Sequence, residues 1–394
     1  MKRLAPLLAF ALFLLSCDAP FDLSLSQAAA VISKMTLQQT IAPLHTLDGD
    51  QENMDIVFLP EKESAAPGID FQNGFLLLRG TYRTMLRYVR FDSANSSYQV
   101  FGGWGQELVN PDPNYQLFVF EPLKFPNLND SIIGVVGLDP VDPGNSSVQL
   151  ANANIPSSSL TSGGWLNLRN DFINLIGPGL PYDANVLGYS IYPTDSVQPF
   201  DNSYWLVRMN SGIDAGKLRE VIMDVSAVGF TSKNDTKIGA NAFDIIDLAV
   251  VKRCNYFFDP DSIRGPTPDD RKSYVSWFDT TAGSWRCVRW NGAGFTDSKV
   301  LPGITHRIDA LLTTGMLFST EGNVGRVYDS SGTEIASFPL GALRFIGERY
   351  VDVDGVQTAT ALFSLARIVT ERYSETLAID LYSIPTAGLE TLGK

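Results

Sequence analysis

Phe278-Asp279-Thr280-Thr281-Ala282-Gly283-Ser284-Trp285 is the stretch on which the reading of this chain turns. A β-prone run from Tyr274 to Phe278 closes on an aspartate, small and polar residues follow, and a second run extends from Arg286 to Trp290. Two such runs around a cluster of Thr, Ala, Gly and Ser form a β-hairpin. An aspartate at the mouth of the turn accepts bonds from amides two residues on, while the preceding aromatic packs on the sheet face. The arrangement recurs twice. Phe91-Asp92-Ser93 has Tyr98 six residues after its aspartate and Phe101 nine after; Tyr328-Asp329-Ser330 has Ile335 and Phe338 there. In the quoted stretch the same offsets hold Trp285 and Val288.

Working outward, short β-prone runs alternate with turn clusters from Asp55 to the end of the chain. Asp55 to Leu59, Gly74 to Thr81, Met85 to Phe91, Tyr115 to Glu121, Ser131 to Leu138, Val186 to Tyr192, Tyr204 to Met209 and Leu377 to Ile384 are examples. Charged residues are 19% and aromatics 11%, with 33 Gly and 22 Pro, a balance that suits many tight turns in an all-β protein. Asp279 and Asp329 lie about 50 residues apart, and Asp92 precedes Asp279 by close to four steps of about 47. That period matches a four-stranded repeat unit and predicts about seven of them, with six or eight also in range. Between Asn170 and Phe230 the motif is not clear, and a sandwich pair or long barrel is the alternative architecture. The hairpins resemble those of divergent β-propellers of the WD-like or quinoprotein-like kind. The resemblance implies a ring of blades over residues 55–394. Since no Gly-His and Trp-Asp signature accompanies it, and the Trp-containing turn occurs once, no cofactor is carried over.

The N-terminus has a different character. Met1-Lys2-Arg3 precedes an apolar run from Leu4 to Leu15, which ends in Leu14-Leu15-Ser16-Cys17. A basic start, an apolar stretch too short to span a bilayer and a small-residue cleavage site form a secretory signal. The last four residues resemble the lipobox of bacterial lipoprotein precursors. That resemblance implies diacylglyceryl transfer to the Cys17 thiol, cleavage between Ser16 and Cys17, and attachment to a cell-envelope membrane through the lipid. The expected organisation is a cleaved signal over 1–16, a tether over 17–54 with a short helix within Ser26 to Leu37, and a β-propeller-like domain over 55–394. Asp18 resembles an inner-membrane retention signal of enterobacterial type, which leaves the choice of membrane open for an unknown host.

Chemistry is sparsely marked. A net charge of −13 argues against nucleic acid as a partner. Only His45 and His306 are present, no G-x-S-x-G elbow exists, and no Cys or His set has metal-ligand spacing. His306 lies near Asp309, a pairing that suits a base but more often a structural contact. Asp48, Asp50, Glu52 and Asp55, then Asp259, Asp261, Asp269 and Asp270, then Asp352 and Asp354 form acidic groups without the EF-hand pattern. Trp104 and Trp165, flanked by glycines, suit glycan or protein contacts as well as packing. Cys254 and Cys287 are either bridged or buried as thiols. The expectation is a lipid-anchored binding or scaffolding module for an envelope protein or glycan, without catalytic residues, metal or cofactor. The alternative is an envelope glycan hydrolase using carboxylates in a central funnel.

Overall fold

The computed structural model describes residues 23–44, 55–60, 62–63, 73–79, 84–101, 107–108, 116–119, 123–125, 130–138, 147–154, 159–162, 166–167, 184–192, 202–209, 218–226, 229–237, 251–258, 272–291, 297–353, 355–371 and 374–394. One α-helix, α1 (Leu23–Ile32), leads into β1 (Thr36–Leu44). The fold is otherwise all-β, built of antiparallel sheets that are mostly four-stranded.

Sheet I holds β2 (Asp55–Pro60), β4 (Gly74–Arg79), β5 (Thr84–Asp92) and β6 (Ser97–Phe101), with β7 (Glu107–Leu108) continuing the β6 lane beside β5. Sheet II holds β3 (Lys62–Glu63), β8 (Gln116–Val119), β9 (Leu123–Phe125), β10 (Asp130–Leu138), β11 (Ser147–Asn154), β12 (Ser159–Ser162) and β13 (Leu166–Asn167). Its strands fall into few lanes. β8 and β9 pair with successive stretches of β10, β12 and β13 with successive stretches of β11, and β3 adds in parallel to β9. Sheet III is β14 (Ala184–Tyr192), β15 (Asn202–Met209), β16 (Leu218–Ser226) and β17 (Gly229–Lys237). Sheet IV is β18 (Val251–Phe258), β19 (Lys272–Asp279), β20 (Ser284–Asn291) and β21 (Asp297–Val300). Sheet V is β22 (Ala310–Leu311), β23 (Leu317–Ser319), β24 (Val324–Tyr328) and β25 (Glu334–Pro339). Sheet VI follows as β26 (Arg344–Val353), β27 (Val356–Glu371) and β28 (Ser374–Pro385), and its fourth strand is β1.

The described strands thus form six sheets. Two expectations need correction. Successive sheets begin at Ala184, Val251, Ala310 and Arg344, unequal steps that fall on both sides of the expected 47, because strand and loop lengths vary from sheet to sheet. The three motif hairpins also occupy different places. β5–β6 and β24–β25 join third to fourth strands, whereas β19–β20 joins second to third. The motif therefore specifies a kind of turn and not a position in a repeat. In addition, residues 17–54 are not all spacer: within them β1 pairs antiparallel with β28, from Thr36 opposite Ser383 to Leu44 opposite Leu377.

Sheet VI is buried on both faces, which explains the near-continuous apolar run Ala361-Leu362-Phe363 followed by Leu365. Ala361, Phe363, Leu365 and Ile384 join Phe318, Val327 and Phe338 of sheet V in one core, to which Ala28 and Val31 of α1 and Leu389 and Leu392 near the C-terminus contribute. Leu362, Leu377, Ile379 and Leu381 join Ile41 and Leu44 of β1 and Val57, Phe58, Leu76 and Val89 of sheet I in another. The last sheet is therefore packed between its predecessor and the first. Sheets IV and V share a third core of Tyr274, Cys287, Ile304, Ile308, Leu317 and Tyr328. First strands meet first strands, with β14 beside β18, β18 beside β22 and β2 beside β26; the fourth strands β1 and β6 also lie side by side.

Candidate functional site

The densest polar arrangement among the described residues is the seam where the two ends of the chain join. Asp380 of β28 accepts from the Thr40 hydroxyl of β1 (2.7 Å) and from Nε of Arg367 on β27 (2.6 Å), so one carboxylate ties three strands together. The hydrogen bond to Asp380 is the main cause of the raised Arg367 pKa, with the Asp380 charge adding to it, while burial and then the same charge raise the pKa of Tyr382. Gln38 donates to the Ser383 hydroxyl (2.6 Å) and Gln39 to the Tyr98 oxygen of sheet I (2.9 Å). Lys34, just after α1, donates through Nζ to the carbonyls of Thr391 (3.1 Å) and Leu392 (3.4 Å). These contacts do more than fill the edge: they fasten residues 28–44 to the last fifty residues of the chain. Nearby, Glu348 of β26 accepts from the Thr313 amide (2.7 Å), the Thr313 hydroxyl (2.9 Å) and the Thr386 hydroxyl (2.6 Å).

The hairpin aspartates are organised alike. The carboxylates of Asp92, Asp279 and Asp329 accept from the amides of Ala94 (3.0 Å), Thr281 (2.8 Å) and Ser331 (2.8 Å), each two residues on. Asp92 also accepts from the Asn95 and Gln99 side chains, Asp279 from the Ala282 amide and Arg286 (2.7 Å), and Asp329 from the Ser331 hydroxyl and Thr333 amide. The Asn95 bond is the main cause holding Asp92 below the usual carboxylate range, and the Ser331 bond does the same for Asp329. Phe91 faces Tyr98 at 5.0 Å between ring centroids, and Phe278 faces Trp285 at 6.0 Å. In both loops the fourth residue after the aspartate, Ser96 or Gly283, takes a left-handed φ. The third loop is one residue shorter, with Gly332 left-handed at φ 85°, and a bulge between Val327 and Tyr328 absorbs the difference. Ile335 falls in that bulge and is exposed, while Phe338 returns to register opposite Gly325.

His306 Nδ1 lies 3.1 Å from the Tyr328 oxygen and 3.3 Å from the Thr305 hydroxyl. Burial, with the Glu334 charge adding to it, pushes the Tyr328 phenol up to about 12. Asp309 is engaged elsewhere: it binds Arg307 Nε at 2.7 Å and accepts from the Thr320 amide (2.6 Å) and hydroxyl (2.7 Å). The two residues that the sequence set near each other thus serve separate structural contacts.

Cys287 is a buried free thiol whose pKa burial raises, the second of the two states that the sequence left open for it. β19 runs between their strands, and next-nearest strands stand roughly 9–10 Å apart, beyond the Cα span of a disulfide. Cys254 also pairs with Trp277 and Cys287 with Ser276, adjacent rows that alternate between sheet faces. Trp277 and Trp285 are buried. Ser16, Cys17, Asp48, Asp50, Glu52, Trp104, Trp165, Asp259, Asp261, Asp269, Asp270 and Asp354 lie outside the described residues. Among the described residues no group of three or more His, Cys, Asp or Glu is placed to hold a metal ion. None of their helices is long and apolar enough to cross a membrane.

No family model matches the chain, and no characterised protein matches it by sequence. Among solved structures it is similar to a puromycin hydrolase, at 12% identity and a TM-score of 0.29, over 94% of this chain and 54% of that one. The chain thus spans about half the length of that hydrolase. It is also similar to a mutant levansucrase of B. subtilis, at 10% identity and a TM-score of 0.30, over 85% of this chain and 90% of that one. An exo-beta-1,3-galactanase from Clostridium thermocellum follows at 9% identity and a TM-score of 0.19, over 85% and 98% of the two chains. Similarity this low fixes no shared activity.

Proposed function

We propose that the six sheets are the blades of one propeller-like ring, and that this ring is the body of a bacterial envelope lipoprotein acting as a binding or scaffolding module. The single observation behind the ring is the seam. β1 completes the last sheet, which packs on sheet V by one face and on sheet I by the other. A row of sheets would have no reason to bring its first member against its last. The side-by-side first strands fit the same arrangement, each serving as the inner strand of a blade.

Anchoring rests on Leu14-Leu15-Ser16-Cys17, with cleavage after Ser16 and lipid on Cys17, and the address is the cell envelope. A binding role is favoured over glycan hydrolysis by the state of the described carboxylates. Asp279, Asp309, Asp329, Glu348 and Asp380 each accept two or more bonds from their own chain, within turns or between strands. A glycosidase needs two carboxyl groups facing one cleft, at about 5–9.5 Å, with one free to give a proton. The partner is then an envelope protein or glycan held by the loop face of the ring.

Two measurements test this. Cys17→Ala is expected to leave uncleaved precursor and to abolish incorporation of a fatty-acid analogue; unchanged incorporation contradicts the anchor. Crosslinking in native envelopes is expected to capture a partner on the folded body, with a glycan panel left intact. Sugar release that disappears on replacing one carboxylate would establish the hydrolase instead.

A further inference from the structure

The seam has a consequence for how the body stands on its membrane. Only residues 18–22 separate Cys17 from Leu23, where α1 begins. Fully extended, that stretch reaches roughly 20 Å, whatever its conformation. From α1 onward the chain is fastened. Ala28 and Val31 are buried in the core shared by sheets V and VI, Lys34 holds the carbonyls of Thr391 and Leu392, and β1 is paired along its length with β28.

We infer that the lipid anchor is a short leash and not a spacer, so that the end of sheet VI bearing α1 and the C-terminal turn faces the bilayer surface at close range. The inference rests on lipidation of Cys17 as proposed above. The partner for this end of the molecule is the membrane itself. Attraction does not supply the posture, because the cleaved chain, more acidic than the −13 of the precursor by the loss of Lys2 and Arg3, is repelled by anionic lipid, a repulsion felt over about one Debye length. The tether imposes it. The Thr36 end of β1, beside α1 and the C-terminal turn, is thereby kept near the headgroups, and the Ala42 end lies farther from them.

The test uses the lipidated protein reconstituted in phosphatidylcholine vesicles that carry a headgroup acceptor dye. A fluorescent amino acid is placed at exposed Ser33, beside α1, or at exposed Ala42, roughly 20 Å along β1 from its start at Thr36. Energy transfer is expected to be strong from Ser33 and clearly weaker from Ala42. A Gly/Ser insertion of about 20 residues after Asp18 adds a flexible coil of some 25 Å r.m.s. span. It is expected to at least halve transfer from Ser33 while fatty-acid labelling stays unchanged. Equal transfer from the two sites, or transfer that ignores the insertion with labelling intact, overturns the short leash alone. Absence of labelling in the unmodified protein overturns the anchor and the leash together.

Discussion

The carboxylates of the three aspartates that open the hairpins bond only within their own hairpins, so removing them reads as stability. Asp279 is the most enclosed of them, with its side chain 8% exposed and bonded to two amides and Arg286. Asp279→Ala is expected to cost about 1–3 kcal/mol, measured as a lower urea midpoint at unchanged slope. Asp92 and Asp329 sit at exposed turns, and their lowered pKa values give a pH signature. A carboxylate whose folded pKa is depressed adds stability that is fully present above its unfolded pKa of about 4. That stability is lost as pH falls through the lower folded value. Asp92→Asn with Asp329→Asn is therefore expected to flatten the decline in stability below about pH 4 and to leave the slope near neutrality unchanged. Gly325 carries a different constraint, because a Cβ there would run into the Phe338 ring. Gly325→Ala is expected to destabilise by about 1–3 kcal/mol in the same urea measurement. Cys287, buried and unbridged, predicts that a reductant leaves the thermal midpoint unchanged and that alkylation after denaturation labels both Cys254 and Cys287.

At the scale of elements, the hairpins were legible in the sequence and their assembly was not. Local chemistry writes a turn: an aspartate, small residues and flanking apolar runs suffice, which is why the Asp92, Asp279 and Asp329 loops could be read directly. Position within a sheet is set by partners far along the chain, so identical turns fall at different hairpins and the apparent period misleads. β1 was missed for the same reason. Thr36 to Leu44 carries two glutamines and Pro43, falls within the segment expected to be a tether, and buries only Ile41 and Leu44 fully. An edge strand tolerates that composition, and its partner lies some 340 residues away. The choice between a Cys254–Cys287 bridge and buried thiols was not legible for the same reason, since it turns on strand order and β19 runs between the two strands. Asp380 holds β1 through Thr40 and β27 through Arg367. Asp380→Ala leaves Thr40 and Arg367 without their shared acceptor, and is expected to lower the urea midpoint by about 1–3 kcal/mol of stability, discounted because Arg367 is partly exposed.

For the whole molecule, the central claim is that six sheets close into one ring through the pairing of the chain's two ends. A closed ring makes the N-terminal segment part of the fold, and under the proposed function it would tie the anchor to the body at its last sheet. The claim is tested most directly by an experimental structure of residues 18–394, by crystallography or electron cryomicroscopy. The account predicts six sheets around a common axis, with residues 36–44 forming the outer strand of the sheet made by residues 344–385. Fewer than five radially arranged sheets, a linear row of sheets, or residues 36–44 unpaired from residues 374–385 would contradict it.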